Sequence, residues 1–283
     1  MRIKLRSALS DKETAILAEK IRLHVVKMTS SGKSSHVGSA LSIADILAVL
    51  YGKIMDYDPK EPMAKGRDKF ILSKGHAGAA VYAVLAEMGF FSTTDLENHY
   101  QNGSVFSGHV SHKGVPGVEL STGSLGHGLG VGVGLSLSAK FQKRNNRTFV
   151  LLSDGELDEG SNWEALLFAA HHKLDNLIAV IDYNKLQSLD SIENTLGLEP
   201  LGSKFSAFNW HVEVVDGHCH QSLGKALLEE GPSGKPKVVI CNTTKGKGVS
   251  FMENQVLWHY RSPQEEELSD AITEIQGRLE LVS

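Results

Sequence analysis

A strand, helix and strand between residues 149 and 186 constrain the fold more than any other part of the sequence. The first apolar run, residues 149–152, leads to Asp154 within an Asp-Gly pair, where a buried parallel strand would enter a tight loop. After a helical segment, the second run, residues 177–181, leads to Asn184. Because the carboxyl ends of adjacent parallel strands meet at one edge of a sheet, we expect Asp154 and Asn184 to lie in neighbouring loops.

Strands alternate with helices along the rest of the chain. Apolar runs at residues 70–72, 211–215 and 238–242 predict further strands, and helical patterns lie between them. The alternation predicts a doubly wound α/β fold, with a mostly parallel sheet and helices on both faces. With 283 residues and 41% hydrophobic content, one large core is expected. We therefore predict a single domain over residues 1–283, with a C-terminal helical extension from about residue 263.

Composition narrows the class of partner and the compartment. A net charge of −4 gives no broad attraction to nucleic acid or to an anionic membrane. The two cysteines, Cys219 and Cys241, are too few for a disulfide framework and suit a reducing cytoplasm. No apolar segment follows residues 1–7, and no run approaches the roughly 18 apolar residues of a membrane span. We expect a cytoplasmic protein with neither a nucleic-acid nor a membrane partner.

Asp154 and Asn184 could hold a metal ion together. A carboxylate and an amide oxygen suit a hard cation, and two side chains plus one carbonyl leave positions for phosphate oxygens and water, as Mg²⁺ usually has. Gly155 would let the backbone approach an anion closely, because it has no Cβ. Asp-Gly and Asp-x-Asn are also common in solvated turns. Their separation by one strand-to-strand crossover favours the metal site.

The Asp-Gly-Glu phrase and the Asp-x-Asn phrase resemble the diphosphate and metal motif of thiamine diphosphate enzymes. From His36 to His259, the chain resembles the N-terminal, diphosphate-binding part of transketolase. The resemblance implies a thiamine diphosphate-binding fold. It also implies that Asp154, Asn184 and the main-chain carbonyl of Leu186 hold the metal, Mg²⁺ or Ca²⁺.

Four histidines match histidines of the transketolase site. His36 lies in a polar loop after the first helix, and His76 lies in the phrase Ser-Lys-Gly-His-Ala-Gly at a predicted helix start. His109 lies in a long glycine-containing loop, and His259 follows a tryptophan. By residue type alone, His36 would be a surface histidine and His76 a helix cap. The resemblance implies catalytic roles for all four, with His36 and His109 facing the substrate and His259 facing both the diphosphate and the substrate.

Two other groups of histidines could suggest zinc, and we do not predict it. His99, His109 and His112 have a spacing that fits no helix face, and no cysteine lies near them. In residues 218–220, His-Cys-His, three adjacent side chains are expected to point in three directions. We expect a loop with ordinary packing at the second position.

A glycine-rich helix follows the phrase Ser-Thr-Gly-Ser-Leu at residues 121–125. Its glycines occupy every second position from 126 to 134, which excludes the Rossmann G-x-G-x-x-G fingerprint. Glycines at 126, 130 and 134 would line one helix face and let another backbone come close. In transketolase this helix lies at an intersubunit contact. The residues expected to bind the cofactor are His76, Gly123, Ser124, Leu125, Asp154, Gly155, Glu156, Asn184 and His259.

The resemblance implies a transketolase, which transfers a two-carbon ketol unit from a ketose to an aldose. Its substrates would be sugar phosphates or related anionic sugars. In the family, a glutamate that activates the cofactor's pyrimidine lies on a second domain, which this sequence does not include. Glu156 and Glu159 follow the metal loop, at the diphosphate end, and cannot replace it. We therefore expect a second subunit with the pyrimidine-binding and C-terminal domains, and two copies of each chain.

Two alternative functions stay open at this point. The α subunit of a 2-oxo acid dehydrogenase shares the metal motif but lacks the Ser-Lys-Gly-His and Thr-Gly-Ser-Leu-Gly phrases. A non-catalytic paralogue would bind the cofactor only, and the four histidines argue against it. Residues 279–283 follow the last helix without a Gly, Pro or Ser linker, as expected of a natural end, and a shortened full-length enzyme is the competing interpretation. The sugars, the partner's identity and the choice of metal stay undetermined.

Overall fold

A five-stranded sheet lies at the centre of the computed structural model, which describes residues 8–282. Residues 1–7, where we expect no apolar segment, and Ser283 lie outside the described part. The strands are β1 (Lys69–Leu72), β2 (Thr148–Ser153), β3 (Leu177–Tyr183), β4 (His211–Asp216) and β5 (Lys237–Asn242). Their spatial order is β1-β2-β3-β5-β4, and every neighbouring pair is parallel. The predicted α/β fold is confirmed.

Helices and short helical turns connect the strands. The α-helices are α1 (Asp11–Ser31), α2 (Val37–Leu41), α3 (Ala44–Val49), α4 (Gly78–Glu87), α5 (Gly128–Phe141), α6 (Gly160–His171), α7 (Ile192–Thr195), α8 (Leu201–Ala207), α9 (His220–Leu228) and α10 (Glu265–Val282). A π-helical turn (Leu50–Ile54) follows α3. The 3₁₀ turns are Gly75–Ala77, Thr93–Asn98, Gly155–Asp158 and Val256–His259.

Strands β2 and β3 form the most buried part of the sheet. All of their residues are buried, which explains why the sequence shows continuous apolar runs there. Side chains alternate in direction along a strand, so Phe149 and Leu151 enter one hydrophobic core while Val150 and Leu152 enter the other. Helices therefore cover both faces of the sheet, as predicted.

The first and last helices pack against each other. Helix α1 begins with the predicted capping box: the Ser10 hydroxyl accepts the Glu13 N–H at 3.2 Å, and the Glu13 carboxylate accepts the Ser10 N–H at 2.7 Å. Ala271 and Ile275 of α10 belong to the same core as the buried side of α1. The predicted C-terminal extension is thus a helix that begins at Glu265 and lies on α1.

Residues 37–54 contradict one sequence expectation. The segment Val37–Ile54 has the length and hydropathy of a membrane-crossing helix, so the expectation that no run approaches this length was wrong. It is 94% buried inside the domain, and α3 packs against α1, α4 and α9. Ser42, expected to open a helix, does not cap one, because its hydroxyl donates to Asp182 at 2.6 Å instead. The segment is a core element of the fold.

The long loop after the Thr93–Asn98 turn is held against the start of α4. The described residues 99–127 contain no helix or strand, as the sequence predicts. The Val110 N–H donates to the Gly75 carbonyl at 2.9 Å, and a Cβ on Gly75 would lie 2.3 Å from the Thr122 carbonyl oxygen. This close approach brings His109 next to the loop after β1.

Candidate active site

The loops after β2 and β3 meet at the carboxyl edge of the sheet. Asp154 follows the last residue of β2, Asn184 follows the last residue of β3, and the two strands are paired neighbours. The Lys185 N–H donates to Asp154 Oδ2 at 2.6 Å, so the two loops are in direct contact. The predicted juxtaposition of Asp154 and Asn184 is confirmed.

Three oxygen-bearing groups of these loops line one cavity of about 250 Å³. Asp154 Oδ1 accepts the Gly155 N–H at 2.8 Å, and Asn184 Oδ1 accepts the Leu186 N–H at 3.0 Å. An sp² oxygen has two lone pairs, so each of these atoms can still accept a cation. A carboxylate, an amide oxygen and the Leu186 carbonyl form a donor set that fits a hard divalent metal.

The Asp154 carboxyl is shaped electrostatically for a cation. It is 1% exposed. Burial raises its pKa to about 7, with a further contribution from the Asp182 carboxylate nearby. A bound cation would favour the charged carboxylate and so reverse that rise.

Asp182 is a fully buried carboxylate that connects the site, and the sequence analysis missed it. Its Oδ2 accepts from Lys74 Nζ, from Ser42 Oγ at 2.6 Å and from Asn184 Nδ2 at 3.0 Å, and its Oδ1 accepts from Thr243 Oγ1. The contact with Asn184 fixes which side of that amide faces the cavity. Burial raises the pKa of Asp182, but the Lys74 ammonium and the hydrogen bonds outweigh it and lower the pKa below its usual value.

The four predicted histidines form one cluster in the cavity. The His36 ring centroid lies 5.1 Å from that of His76, 5.5 Å from His109 and 4.9 Å from His259. Local backbone geometry contributes, because His36 adopts a left-handed conformation with φ of 73° and its N–H donates to the His259 carbonyl at 2.9 Å. The sequence thus identified side chains that the fold brings together from four separate loops.

These histidines are neutral at pH 7. Burial, with the nearby His109 and Lys74, lowers the pKa of His36 to about 4. Burial, with Lys245, lowers the pKa of His259 to about 3, and burial also lowers the pKa of His76 well below its usual range. A neutral imidazole donates a hydrogen bond from one nitrogen and accepts one at the other. The cluster can therefore hold hydroxyl groups and exchange protons with them.

Two lysines supply positive charge to the cavity, and no site role was predicted for either. Lys74 and Lys245 are nearly fully buried and line it. Lys245 Nζ donates to the carbonyls of Leu186 at 3.0 Å and Gln187 at 2.9 Å. Burial and the charge of Lys74 lower the pKa of Lys245 to about 8. The available signals were the phrases Ser-Lys-Gly-His and Lys-Gly-Lys-Gly, which carry both side chains.

Two of the expected cofactor-binding residues lie outside the cavity lining. Gly123, Leu125 and Gly155 line the cavity, as expected, whereas Ser124 is exposed and does not. Glu156 is fully buried, and its carboxylate accepts the Gly126 N–H at 2.9 Å and the Ser73 hydroxyl. The 3₁₀ turn Gly155–Asp158 directs this side chain inward, where it braces the loop before α5.

His218 and His220 converge on one carboxylate, so the expectation of three directions for residues 218–220 was wrong. His218 Nδ1 lies 2.7 Å from Asp45 Oδ2, and His220 Nε2 lies 3.0 Å from Asp45 Oδ1. Only Cys219 points elsewhere, because it is the N-cap residue of α9 and its sulfur accepts from Ser222. Within residues 8–282, no group of three or more His, Cys, Asp or Glu side chains is arranged to hold a metal.

Helix α5 presents a face without side chains. Gly130 and Gly134 are exposed, and nothing lies within 4 Å of where their Cβ atoms would be. Gly126 does not share this face: it precedes the helix with a φ of +83°, and its Cβ would lie 2.5 Å from Ser161 Oγ. The predicted glycine-lined face therefore consists of two glycines rather than three.

Protein families and relatives match nearly the whole chain. Residues 13–276 match the family described as transketolase, thiamine diphosphate binding domain. One named subunit of the apulose-4-phosphate transketolase of Actinobacillus succinogenes is 42% identical over 261 residues, which cover 92% of this chain and 94% of that protein. The 6-deoxy-6-sulfo-D-fructose transketolase subunit SqwG of a Clostridium species is 39% identical over 242 residues, which cover 85% and 88% of the two chains.

The fold is also similar to that of a solved full-size enzyme. The crystal structure of a transketolase from Pichia stipitis aligns with a TM-score of 0.87 and 31% sequence identity. The match covers 96% of this chain but 41% of the other. The chain therefore spans less than half of that solved protein, and nearly all of the two subunits named above.

Proposed function

This chain belongs to the transketolase family, as its N-terminal, thiamine diphosphate-binding part, and we propose that it acts as one subunit of a two-chain transketolase. The enzyme would transfer a two-carbon ketol unit from an anionic ketose to an aldose. The observation that carries this proposal is the cluster of four neutral histidines beside the oxygen-bearing edge formed by Asp154 and Asn184. Anionic sugars are proposed because the names of two relatives include a sugar phosphate and a sulfonated sugar.

The cofactor would be thiamine diphosphate together with Mg²⁺ or Ca²⁺. When bound, it supplies an electron sink for the carbon–carbon bond that breaks in the ketose. Asp154, Asn184 and the Leu186 carbonyl would hold the metal against the diphosphate, which their oxygen donor set supports. Lys245 and His76 would face the diphosphate, because an anion needs both positive charge and hydrogen-bond donors.

The histidines would handle the sugar. His36, His109 and His259 can orient its hydroxyl groups, since a neutral ring offers one donor and one acceptor. The low pKa values of His36 and His259 favour release of a proton over retention, so each could return a proton to an oxygen after removing it. Positive charge in the cavity then stays on the lysines, at the end where the diphosphate would bind.

The partner would be a second subunit that carries the pyrimidine-binding and C-terminal domains. Two observations support this: the Actinobacillus succinogenes relative is itself named as one subunit of its enzyme, and this chain spans 41% of the Pichia stipitis enzyme. The bare face of α5, with the exposed Val131 beside its glycines, is the surface we assign to such a contact. We propose two copies of each chain, and we place the complex in the cytoplasm, in carbohydrate metabolism, because Cys219 and Cys241 are free.

An assay of the purified pair of chains tests the reaction class. The pair, supplied with thiamine diphosphate and Mg²⁺, is expected to pass a ketol unit from a ketose phosphate to an aldose phosphate and to leave pyruvate intact. The His109→Ala variant, which keeps the metal loops, should lower the rate by roughly 10²-fold. Decarboxylation of pyruvate without ketol transfer would contradict the proposal.

A further inference from the structure

The loop that carries Lys245 is held from behind, on the side away from the cavity. Residues 243–248 follow β5, and Lys245 is the residue of this loop whose ammonium reaches the Leu186 and Gln187 carbonyls. Its main-chain carbonyl accepts the Asn254 N–H at 2.9 Å, which leaves the flanking peptide groups to other partners. Those partners lie in α1, in α3 and in the turn before α9.

One flanking group is the Thr244 N–H, which donates to His218 Nε2 at 2.8 Å. A peptide N–H can only donate, so this ring nitrogen must be unprotonated. The proton of the neutral ring is therefore on Nδ1, which lies 2.7 Å from Asp45 Oδ2. Asp45 thus selects the one tautomer of His218 that can accept from Thr244.

The other flanking group is the Lys247 carbonyl, which accepts from Arg22 Nε at 3.1 Å. The same guanidinium donates to Asp45 Oδ2, and both side chains are buried. Burial raises the pKa of the Asp45 carboxyl, but Arg22 and the two histidines outweigh it and hold the pKa well below its usual range. A permanently charged carboxylate therefore orients both side chains that grip the loop.

We propose that Asp45 is a positioning residue for Lys245. Through His218 at residue 244 and Arg22 at residue 247, one buried carboxylate fixes the loop on both sides of the lysine. We call Arg22, Asp45 and His218 the Asp45 clamp. The inference rests on the proposed function in one respect, namely that Lys245 faces a diphosphate.

Two variants of His218 separate the two bonds of its ring. In His218→Asn, the side-chain amide overlaps Nδ1 and keeps the bond to Asp45, but it leaves the Thr244 N–H without an acceptor. In His218→Gln, the amide oxygen overlaps Nε2 and keeps the bond to Thr244, but the bond to Asp45 is lost. A histidine that served only to satisfy Asp45 would tolerate asparagine and not glutamine, so the order of the two variants is diagnostic.

The first measurement follows amide hydrogen exchange over residues 243–248 in the full chain, without any ligand. His218→Asn is expected to speed exchange in this segment about tenfold, and His218→Gln is expected to stay within about twofold of the wild type. Equal exchange in the two variants, or the reverse order, would overturn the clamp. Thermal melting of each variant verifies that the remainder of the chain is folded.

The second measurement is calorimetric binding of inorganic pyrophosphate with Mg²⁺. Lys245→Met and His218→Asn are each expected to raise the Kd about tenfold, with His218→Gln near the wild type. The double variant Lys245→Met with His218→Asn should bind no more than about twofold worse than Lys245→Met alone, because both act through one side chain. Additive losses would overturn the positioning role. A wild-type chain that binds no pyrophosphate would contradict the proposed function instead, and the exchange measurement would still decide the clamp.

Discussion

At the scale of single residues, Asp182 determines how the two sides of the cavity are joined. Its side chain binds Lys74, Ser42 and Thr243 from three distant segments, as well as Asn184 two residues away. A buried charge is tolerated when opposite charge and hydrogen bonds compensate it, and Asp182 has both. The candidate metal ligand Asn184 is oriented by this compensated carboxylate.

Replacing Asp182 by asparagine should destabilise the fold. The change leaves the Lys74 ammonium buried without a negative partner, which costs about 3–5 kcal/mol. Lys74→Met should cost less, about 1–3 kcal/mol, because Asp182 keeps three side-chain donors. Urea unfolding measures both, with Glu266→Gln on the exposed side of α10 as the control for loss of a carboxylate. Equal stability of Asp182→Asn and the wild type would show that the ion pair is not structurally important.

Asp154 predicts a pH dependence for the metal-free protein. Its pKa is raised to about 7 by burial and by Asp182, from an ordinary value of 3.8, so the folded state favours the neutral acid. Stability from this group is therefore greatest below pH 4 and is lost as the pH rises from about 4 to about 7, by a few kcal/mol. Asp154→Asn should abolish this part of the pH profile in thermal melts, and Mg²⁺ should stabilise the wild type at pH 7. A variant with an unchanged profile would contradict the assignment.

Residue type and spacing were sufficient to predict Asp154, Asn184 and the four histidines. Lys74 and Asp182 were not recognised, although both lie in the phrases used for the prediction. Their importance depends on a contact across 108 positions of the chain, and local sequence does not encode which distant group meets a given carboxylate. The same reason applies to Asp45, whose partners come from α1 and from the turn before α9.

At the scale of elements, local patterns predicted most helices and strands to within a few residues. The runs that enter both cores, the capping box of α1 and the irregular loop after Asn98 all follow from local composition. The placement of β5 between β3 and β4 does not, because strand order is set by long-range pairing. Gly126 was misassigned because glycine spacing alone cannot separate a helix face from the turn that precedes it.

The bare face of α5 predicts opposite effects on stability and on assembly. Gly130→Ala and Gly134→Ala should each stabilise the isolated chain by about 0.5–1 kcal/mol, since alanine is the better helix former and the space is open. Gly134→Leu should weaken binding to the partner at least about tenfold, because a side chain would occupy the contact. Unfolding and sedimentation of mixtures measure the two effects. Gly132 is unsuitable for comparison because a Cβ there would lie 2.4 Å from Val150, so Glu266→Leu on α10 is the control.

If the partner bound Gly134→Leu as well as it binds the control, the surface assignment would be wrong and the contact would have to lie elsewhere. The stability gain of the alanine variants would be unaffected by that outcome. It depends only on backbone entropy and on the open space around the helix.

At the scale of the whole molecule, the described chain provides metal ligands, lysines and histidines but one half of a cofactor site. The isolated chain is therefore expected to show no ketol transfer, and titration with the partner should raise activity until the chains are equimolar. Native mass spectrometry should find two copies of each chain. A single chain that already turns over ketose phosphates, at a rate the partner does not raise, would contradict the two-chain proposal.

The Lys74–Asp182 pair also limits the order in which substitutions can accumulate in a lineage. If the lysine is lost first, Ser42, Thr243 and Asn184 still donate to the carboxylate. If the aspartate is lost first, the lysine keeps one acceptor in its surroundings, the Ser39 carbonyl at 3.2 Å. An evolving sequence can therefore exchange Lys74 while it keeps Asp182, but the reverse step passes through an intermediate that selection removes. Descendants of such a protein should retain the aspartate long after the lysine has changed.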